Sequence, residues 1–201
     1  RLADYVVTEG GFGADLGAEK FFDIICRDEV KPQVAVVVAS VRALKMHGGL
    51  DKGALAELDL AALKRGTANL DRHLENLAKF GLTTVVAINR FPTDHDQELN
   101  WLLDHCQSKG ARAAISEVVS RGGEGGTELA SEVLTACQEP NDFKPLYPLD
   151  LPLEEKLAIL AREIYRAEKV EYTKQAKNQL ARWKDLGADK LPLCVAKTQY
   201  S

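Results

Sequence analysis

The stretch VAVVVASVRALKMHGG, residues 34–49, decides the fold prediction. Its first half is an almost continuous apolar run, which is typical of a strand covered on both faces in a parallel sheet. Its second half becomes cationic and rich in glycine, with Arg42, Lys45, His47, Gly48 and Gly49. In open parallel sheets, ligands bind beyond the carboxyl ends of the strands. The stretch therefore predicts a core strand that ends at a binding edge.

Strand and helix patterns alternate around this stretch. Further short strands are predicted at DYVVTE (4–9), TTVVAIN (83–89), ARAAIS (111–116) and LPLCVAK (191–197). Helices are predicted at TANLDRHLENLAKFG (67–81), HDQELNWLLDHCQSKG (95–110) and TELASEVLTAC (127–137). Gly81 and Gly110 are placed to end the first two of these helices. The alternation predicts an α/β fold with a mainly parallel sheet and flanking helices.

The C-terminal part has a different pattern. A proline-rich connector, NDFKPLYPLDLP (141–152), precedes two stretches with apolar residues at helical spacing. We interpret residues 152–187 as a helical hairpin. The predicted domains are an α/β portion at 1–140, and a portion at 141–201 that contains the connector, the hairpin and the start of a following strand.

Composition and charge exclude several classes of protein. The 201 residues carry a formal net charge of −4 without long charged blocks, which argues against non-specific nucleic-acid binding. The longest apolar run is far shorter than the roughly 20 residues of a membrane helix. The four cysteines are far apart, which argues against disulfides and zinc and favours a reduced, cytoplasmic protein. Because the chain begins at Arg1 and ends just after an apolar run, we expect a piece of a longer protein.

Four loops rich in glycine or polar residues are predicted at one edge of the sheet. They are TEGGFGADLG (8–17), SVRALKMHGG (40–49), INRFPTD (88–94) and SEVVSRGGEGG (116–126). Phe12 and Phe91 are aromatic residues in such loops, where they can offer stacking surfaces. Arg42 and Lys45, beside free backbone N–H groups, suit a phosphate or carboxylate. The alternatives are a tight turn for the first loop and a solvated loop for the second.

None of these loops matches a nucleotide-binding motif. The first reads G-x-G-x-x-x-G, whereas a Walker A loop needs G-x-x-x-x-G-K-[ST] and a dinucleotide fingerprint needs G-x-G-x-x-G. The negative charge of Glu124 argues against polyphosphate binding by the fourth loop. The acidic residues of DHD (94–96) could be taken for a metal site, but the N-terminal turn of the next helix explains them better. We expect no metal ligands.

The segment VASVRALKMHGG (38–49) resembles the formate–tetrahydrofolate ligase (10-formyltetrahydrofolate synthetase) family, whose members carry V-A-T-[IV]-R-A-L-K-x-[HN]-G-G. Ser40 replaces the Thr and keeps the hydroxyl. Five further segments resemble the family in its order: TEGGFGADLGAEKFFDI, NLDRHLENLAKFG, VVAINRFPTD, GGEGG and LPLCVAKTQYS. The resemblance covers essentially the whole chain.

The resemblance implies an enzyme with a P-loop-NTPase-like nucleotide domain that joins formate to tetrahydrofolate with ATP and Mg²⁺, through formyl phosphate. It also implies small-molecule substrates and a homo-oligomer. The residues expected near the formyl phosphate are Arg42, Lys45, His47, Gly48 and Gly49. Those expected at the folate site are Phe12, Phe91, Ile115 and Val119.

Two departures from the family pattern matter. Val119 stands where the family usually has a stacking Trp, which predicts weaker pterin binding by roughly 1–3 kcal/mol. The Walker-type Gly-Lys-Thr loop of the family is not among these residues, so the nucleotide ligands are unknown and we expect no turnover by this chain alone. The alternatives are a truncated folate- or anion-binding module without catalysis, and an interaction protein that uses 152–187 as an oligomer surface.

Overall fold

The computed structural model describes residues 3–28 and 30–196, which divide into two compact units. We call residues 32–143 the sheet unit, and the described parts of 1–31 and 144–201 the helical unit. The predicted boundary between residues 140 and 141 concerns the domains of a longer protein, and it stays a prediction.

The sheet unit contains three parallel strands in the order β1-β2-β3. These are β1 Val34–Ala39, β2 Thr83–Asn89 and β3 Arg112–Ser116. Ala39 pairs with Ile88, and Ile88 pairs with Ile115. All three carboxyl ends therefore meet at one edge, which confirms the mainly parallel α/β fold and three of the predicted strands.

Helices lie before, between and after these strands. They are α1 Glu19–Ile24, α2 Val41–His47, α3 Leu60–Ala78, α4 Asp96–Ser108, α5 Val118–Arg121, α6 Thr127–Ala136, α7 Leu153–Glu163 and α8 Lys174–Asp185. Gly81 and Gly110 have φ of +75° and +76°, which confirms that they follow α3 and α4 in left-handed turns.

The core of the sheet unit is built from the faces that the apolar periodicity predicts. Leu70 and Leu77 of α3 and Leu99 and Leu102 of α4 are 2% exposed or less. The helix α3 is longer than predicted and begins at Leu60, after Asp59, whose Oδ1 accepts from the N–H of Ala62 at 2.8 Å. This aspartate is an N-cap, and it satisfies a backbone donor that the helix itself leaves unpaired.

The predictions of a strand at residues 4–9 and at residues 191–197 are wrong. Residues 5–10 are irregular, and the side chains of Val6 and Val7 are 79% and 92% exposed. Residues 191–196 form no strand either, and the last residue of that prediction lies outside the described residues. The first stretch is rich in β-branched residues and the second is mostly apolar, but a strand also needs a hydrogen-bonded neighbour. No described strand pairs with them.

The predicted loop after β1 is also wrong, because residues 41–47 form α2. Ser40 is its N-cap, and the Ser40 Oγ accepts from the N–H of Ala43 at 3.3 Å. The hydroxyl that the family pattern keeps at this position thus begins a helix.

The helical unit contains the two helices predicted within residues 152–187. Of the apolar residues at helical spacing in these two stretches, Leu153, Leu160, Ile164 and Leu180 are at most 7% exposed, whereas Leu157 is half-buried and Trp183 is 47% exposed. Gly187 follows α8 with φ of +74°. The existence of two helices in this range and the end of the second at Gly187 are confirmed, while their pairing as a hairpin stays a prediction.

Candidate ligand site at the carboxyl edge of the sheet

Three segments that follow the three strands form the candidate site. They begin at Ser40, Arg90 and Glu117, directly after β1, β2 and β3. The N–H of Arg90 donates to Ser116 O at 3.0 Å, and the N–H of Glu117 donates to Gly125 O at 2.9 Å. The backbone therefore holds the second and third segments in place at the sheet edge.

Arg42 and Phe91, both predicted as site residues, are in contact. The guanidinium carbon of Arg42 lies 5.1 Å from the centroid of the Phe91 ring. Both side chains are half-buried. A guanidinium over an aromatic face is a cation–π contact, and this one joins the segments after β1 and β2.

The turn that carries Phe91 is closed by Asp94. The Asp94 Oδ2 accepts from the N–H of Phe91 at 2.9 Å, and the N–H of Asp94 donates to Phe91 O at 2.9 Å. Asp94 is 8% exposed, and this burial raises the pKa of its carboxyl, although the Phe91 N–H and the charges of Lys45 and Arg42 act against the rise. The turn is thus fixed by a nearly buried side chain.

Lys45 lies inside the protein and not on an open loop as predicted. Its side chain is fully buried, and its Nζ lies 3.0 Å from Glu98 Oε1. The same Nζ donates to Glu57 O at 2.6 Å. The ammonium is therefore surrounded by protein acceptors, and a contact between Lys45 and a bound anion stays a prediction.

The amides of the double glycine are not free, in contrast to the prediction. The N–H of Gly48 donates to Leu44 O at 2.9 Å, and that of Gly49 donates to Met46 O at 3.0 Å. Both bonds complete the C-terminal end of α2. A Cβ on Gly48 would overlap Ala62 O, so this glycine lets α2 and α3 approach closely. His47 is exposed at the end of the same helix.

The segment after β3 presents apolar side chains. Val119 is 81% exposed and Val118 is 44% exposed, on the short helix α5. Ile115 is half-buried and packs at the margin of the core. Val119 is thus open to a ligand, whereas Ile115 is largely enclosed by protein.

Phe12 belongs to the helical unit. Its φ is +61° and its side chain is 85% exposed, directly before a π-helical segment at Ala14–Ala18. A non-glycine residue in the left-handed region is strained, and such strain is concentrated at functional sites. No described strand precedes this loop, so the reason for placing it at the sheet edge is wrong. A position near Phe91 stays a prediction.

A cavity of about 620 Å³ opens at the opposite edge of the sheet unit, near the amino ends of β2 and β3. Arg112, one of its lining residues, pairs with Glu132 at 3.0 Å and with Glu139. Lys109, another lining residue, pairs with Asp71 at 2.8 Å. Because these cations already have carboxylate partners, we assign the candidate site to the carboxyl edge.

Within residues 3–28 and 30–196, no group of three or more His, Cys, Asp or Glu side chains could hold a metal ion. Each residue of the acidic DHD segment has another partner. Asp94 closes the Phe91 turn, His95 Nε2 lies 3.0 Å from Ala56 O, and Asp96 Oδ1 accepts from Arg90 Nη2 at 2.8 Å. Asp96 also lies in the first turn of α4, as the N-terminal interpretation predicts. The described part of the chain also has no helix long and apolar enough to cross a membrane.

Sequence reasoning missed Arg90 and Glu98 as parts of this edge. Arg90 Nε lies 3.7 Å from Glu117 Oε1, which links the segments after β2 and β3. Glu98 is fully buried beside Leu99 in α4. The burial of Glu98 could have been predicted from the sequence, because Glu98 lies four residues before Leu102 and therefore on the core face of α4.

Comparison with known proteins agrees with this geometry. The family model described as formate–tetrahydrofolate ligase matches residues 1–201. The chain belongs to the formate–tetrahydrofolate ligase family. It is 52% identical over 202 residues to a formate–tetrahydrofolate ligase of Renibacterium salmoninarum, a match that covers 100% of this chain. The chain spans only 36% of the length of that relative.

Membership in the formate–tetrahydrofolate ligase family gives the motif VASVRALKMHGG a structural meaning. Residues 38–49 contain the end of β1, the Ser40 cap and the whole of α2. The motif therefore determines how α2 leaves the sheet, which is what brings Arg42 to Phe91.

Proposed function

We propose that this chain is part of an ATP-dependent ligase that joins formate to tetrahydrofolate and gives 10-formyltetrahydrofolate through formyl phosphate. The observation that carries the proposal is the contact between Arg42 and Phe91 at the carboxyl edge of a parallel sheet. Family membership and the resemblance of both surrounding motifs support it.

Arg42 and Phe91 suit the two reactants of the formyl transfer, formyl phosphate and tetrahydrofolate. Formyl phosphate is an anion, and a guanidinium can neutralise it and donate two parallel hydrogen bonds to its phosphate. Tetrahydrofolate carries a flat pterin that can stack on an aromatic ring. When N10 attacks the formyl carbon, a C–N bond forms and the C–O bond to phosphate breaks. The phosphate leaves and, in the overall balance, takes up the proton that N10 loses. We assign Arg42 to the departing phosphate and Phe91 to the pterin.

Further members of the site follow the resemblance. We propose that Val119 faces the folate, since its side chain is 81% exposed. A folate contact for Phe12 is proposed from the resemblance alone. His47 is the exposed imidazole nearest in sequence to Arg42, and we assign it to the surroundings of the anion. Ile115, Lys45 and Gly48 support this edge from within the protein, and Gly49 lies exposed at the end of α2.

ATP is a substrate and Mg²⁺ a cofactor of the proposed reaction. No acidic cluster of the described residues fits a metal ion. Because the chain lacks a Walker-type loop, we propose that it does not turn over alone. We also propose that the complete protein acts as a cytoplasmic homo-oligomer, as the resemblance implies.

A second candidate is a folate- or anion-binding module without catalysis. The observation that favours it is Val119, an 81% exposed aliphatic side chain where the family pattern has Trp. A module of this kind would bind tetrahydrofolate, yet it would stay inactive when the missing parts of the ligase are supplied.

A calorimetric titration of tetrahydrofolate into this chain tests the proposal. We expect binding that Phe91→Ala weakens by about 1 kcal/mol or more, a roughly fivefold or larger loss. Trp101→Ala is a matched control, because Trp101 is a half-buried aromatic of the same unit that stacks on His105 in α4. Equal losses for both variants, or no binding by the unchanged chain, would contradict a folate site at this edge.

A further inference from the structure

A buried ion pair connects the two elements that carry Arg42 and Phe91. Lys45 of α2 and Glu98 of α4 are both fully buried, and the Lys45 Nζ lies 3.0 Å from Glu98 Oε1 and 3.3 Å from Oε2. The two residues are 53 positions apart in sequence. The pair is therefore a tertiary contact between α2 and α4.

The remaining polar atoms of this pair also hold the segment before α3. The Lys45 Nζ donates to Glu57 O at 2.6 Å, and Glu98 Oε1 accepts from the N–H of Asp59 at 2.9 Å. Asp59 is in turn the N-cap of α3. One ion pair thus fixes α2, α4 and the start of α3 relative to one another.

Each candidate site residue lies close in sequence to one member of this pair. Arg42 precedes Lys45 by three residues on α2, so the two side chains lie on neighbouring positions of one helix. Phe91 lies in the turn that Asp94 closes, directly before α4, and Glu98 is in the first turn of that helix. A shift of α2 against α4 would therefore move Arg42 relative to Phe91.

Stability alone is a weak explanation for a buried ion pair of this kind. Burying two charges has a large desolvation cost, and replacing a buried pair by apolar residues of similar volume is often neutral or stabilising. Its surroundings would suit such a replacement, since Val41 and Leu44 of α2 and Leu99 and Leu102 of α4 are all buried. The charged pair instead favours one relative position of the two helices, because its hydrogen bonds are directional.

We propose that Lys45 and Glu98 are positioning residues, which hold α2 and α4 in the arrangement where the Arg42 guanidinium covers the Phe91 ring. The expected effect of this pair on tetrahydrofolate binding rests on the proposed function. Its expected effect on the Arg42–Phe91 contact does not rest on that function, and it can be measured without any ligand.

The test compares Lys45→Met, Glu98→Leu and the double variant. The readout is the NMR chemical shift of the Arg42 Nε–H, which the ring current of Phe91 displaces. This resonance is assigned by its loss in Arg42→Lys. The Phe91→Leu variant gives the chemical shift that Arg42 has without the ring. We expect the double variant to be at least as stable to urea as either single variant. Its Arg42 resonance should nevertheless move to the Phe91→Leu position, and its tetrahydrofolate affinity should fall about fivefold, as for Phe91→Ala.

Lys156→Met is the matched control, because Lys156 is the other lysine among the described residues that is fully buried, and it belongs to the helical unit. It should leave the Arg42 resonance unchanged. A folded double variant that keeps the native Arg42 resonance would overturn the positioning role. If the unchanged chain binds no tetrahydrofolate, the proposed function fails, and the resonance alone still decides the role of the pair.

Discussion

The Arg42 guanidinium covers the Phe91 ring at 5.1 Å, so that a cation from α2 meets an aromatic face from the turn after β2. The sequence places these residues 49 positions apart, and the parallel register of β1 and β2 brings their segments to the same edge. An anion and a flat ring system would thus find their chemical partners side by side.

The first prediction concerns the strength of this contact. A double-mutant cycle with Arg42→Met and Phe91→Leu should give a coupling energy of about 0.5–1 kcal/mol, the usual range for a partly exposed cation–π pair. The measurement is urea unfolding followed by Trp101 fluorescence in a Trp183→Phe background, since the chain has two tryptophans and Trp101 lies in the sheet unit. Lys64 and Trp101, at 5.4 Å, are unsuitable as a reference because they include the reporter. Strictly additive effects would show that the two side chains are close without stabilising each other.

The second prediction concerns the exposed side chain after β3. Val119→Trp should tighten tetrahydrofolate binding by roughly 1–3 kcal/mol, because the added indole offers a second stacking surface. Leu134→Trp is the control, since Leu134 is 43% exposed near the end of α6 and should not change the affinity. Calorimetric titration of tetrahydrofolate into both variants measures the affinities. If Val119→Trp binds no more tightly than the unchanged chain, the pterin does not stack at position 119.

The parts of the fold that the sequence predicts well are those in which one pattern dominates. β2 has an unbroken apolar run at residues 85–88, and α4 has Leu99, Leu102 and Cys106 at helical spacing, so each segment has one consistent interpretation. DYVVTE (4–9) has a strand composition as well, but composition contains no information about a pairing partner.

The error after β1 has a different cause. Val41, Leu44 and Gly48 lie at helical spacing, yet Lys45 interrupts the apolar face and suggests a solvated loop. Its partner in the ion pair is Glu98, which lies on another helix. The sequence around Lys45 alone cannot predict this pairing. The same limit explains why Arg42 and Phe91 could be named from the sequence as separate candidates, while their contact could not.

The third prediction concerns the close approach of α2 and α3. Gly48→Ala should lower the free energy of unfolding by about 1–3 kcal/mol, because the added Cβ would overlap the carbonyl of Ala62 and force the helices apart. Gly53→Ala is the control in the same unit, since a Cβ there meets nothing within 4 Å, and it should be neutral or slightly stabilising. Urea unfolding followed by Trp101 checks both variants. A Gly48→Ala protein as stable as Gly53→Ala would show that α2 can shift without cost.

The fourth prediction concerns a buried carboxyl of the helical unit. Asp23 of α1 is fully buried, and its Oδ1 accepts from the N–H of Leu146 at 2.8 Å. Burial raises its pKa to about 7, and the neighbouring Glu19 carboxyl adds to the rise. The native state therefore keeps a proton that the unfolded chain loses near the ordinary value of 3.8.

The sign of the pH dependence follows from this raised pKa. The stabilisation from the Asp23 proton is complete below the ordinary value of 3.8 and is lost as the pH rises through about 7. The unfolding free energy of the unchanged chain should fall relative to that of Asp23→Asn by on the order of 1 kcal/mol per pH unit in this window. Urea unfolding followed by Trp183 in a Trp101→Phe background measures it, with the exposed Asp185→Asn as control. A constant difference between the unchanged chain and Asp23→Asn from pH 4 to 8 would mean that Asp23 is ionised throughout this range in the folded protein.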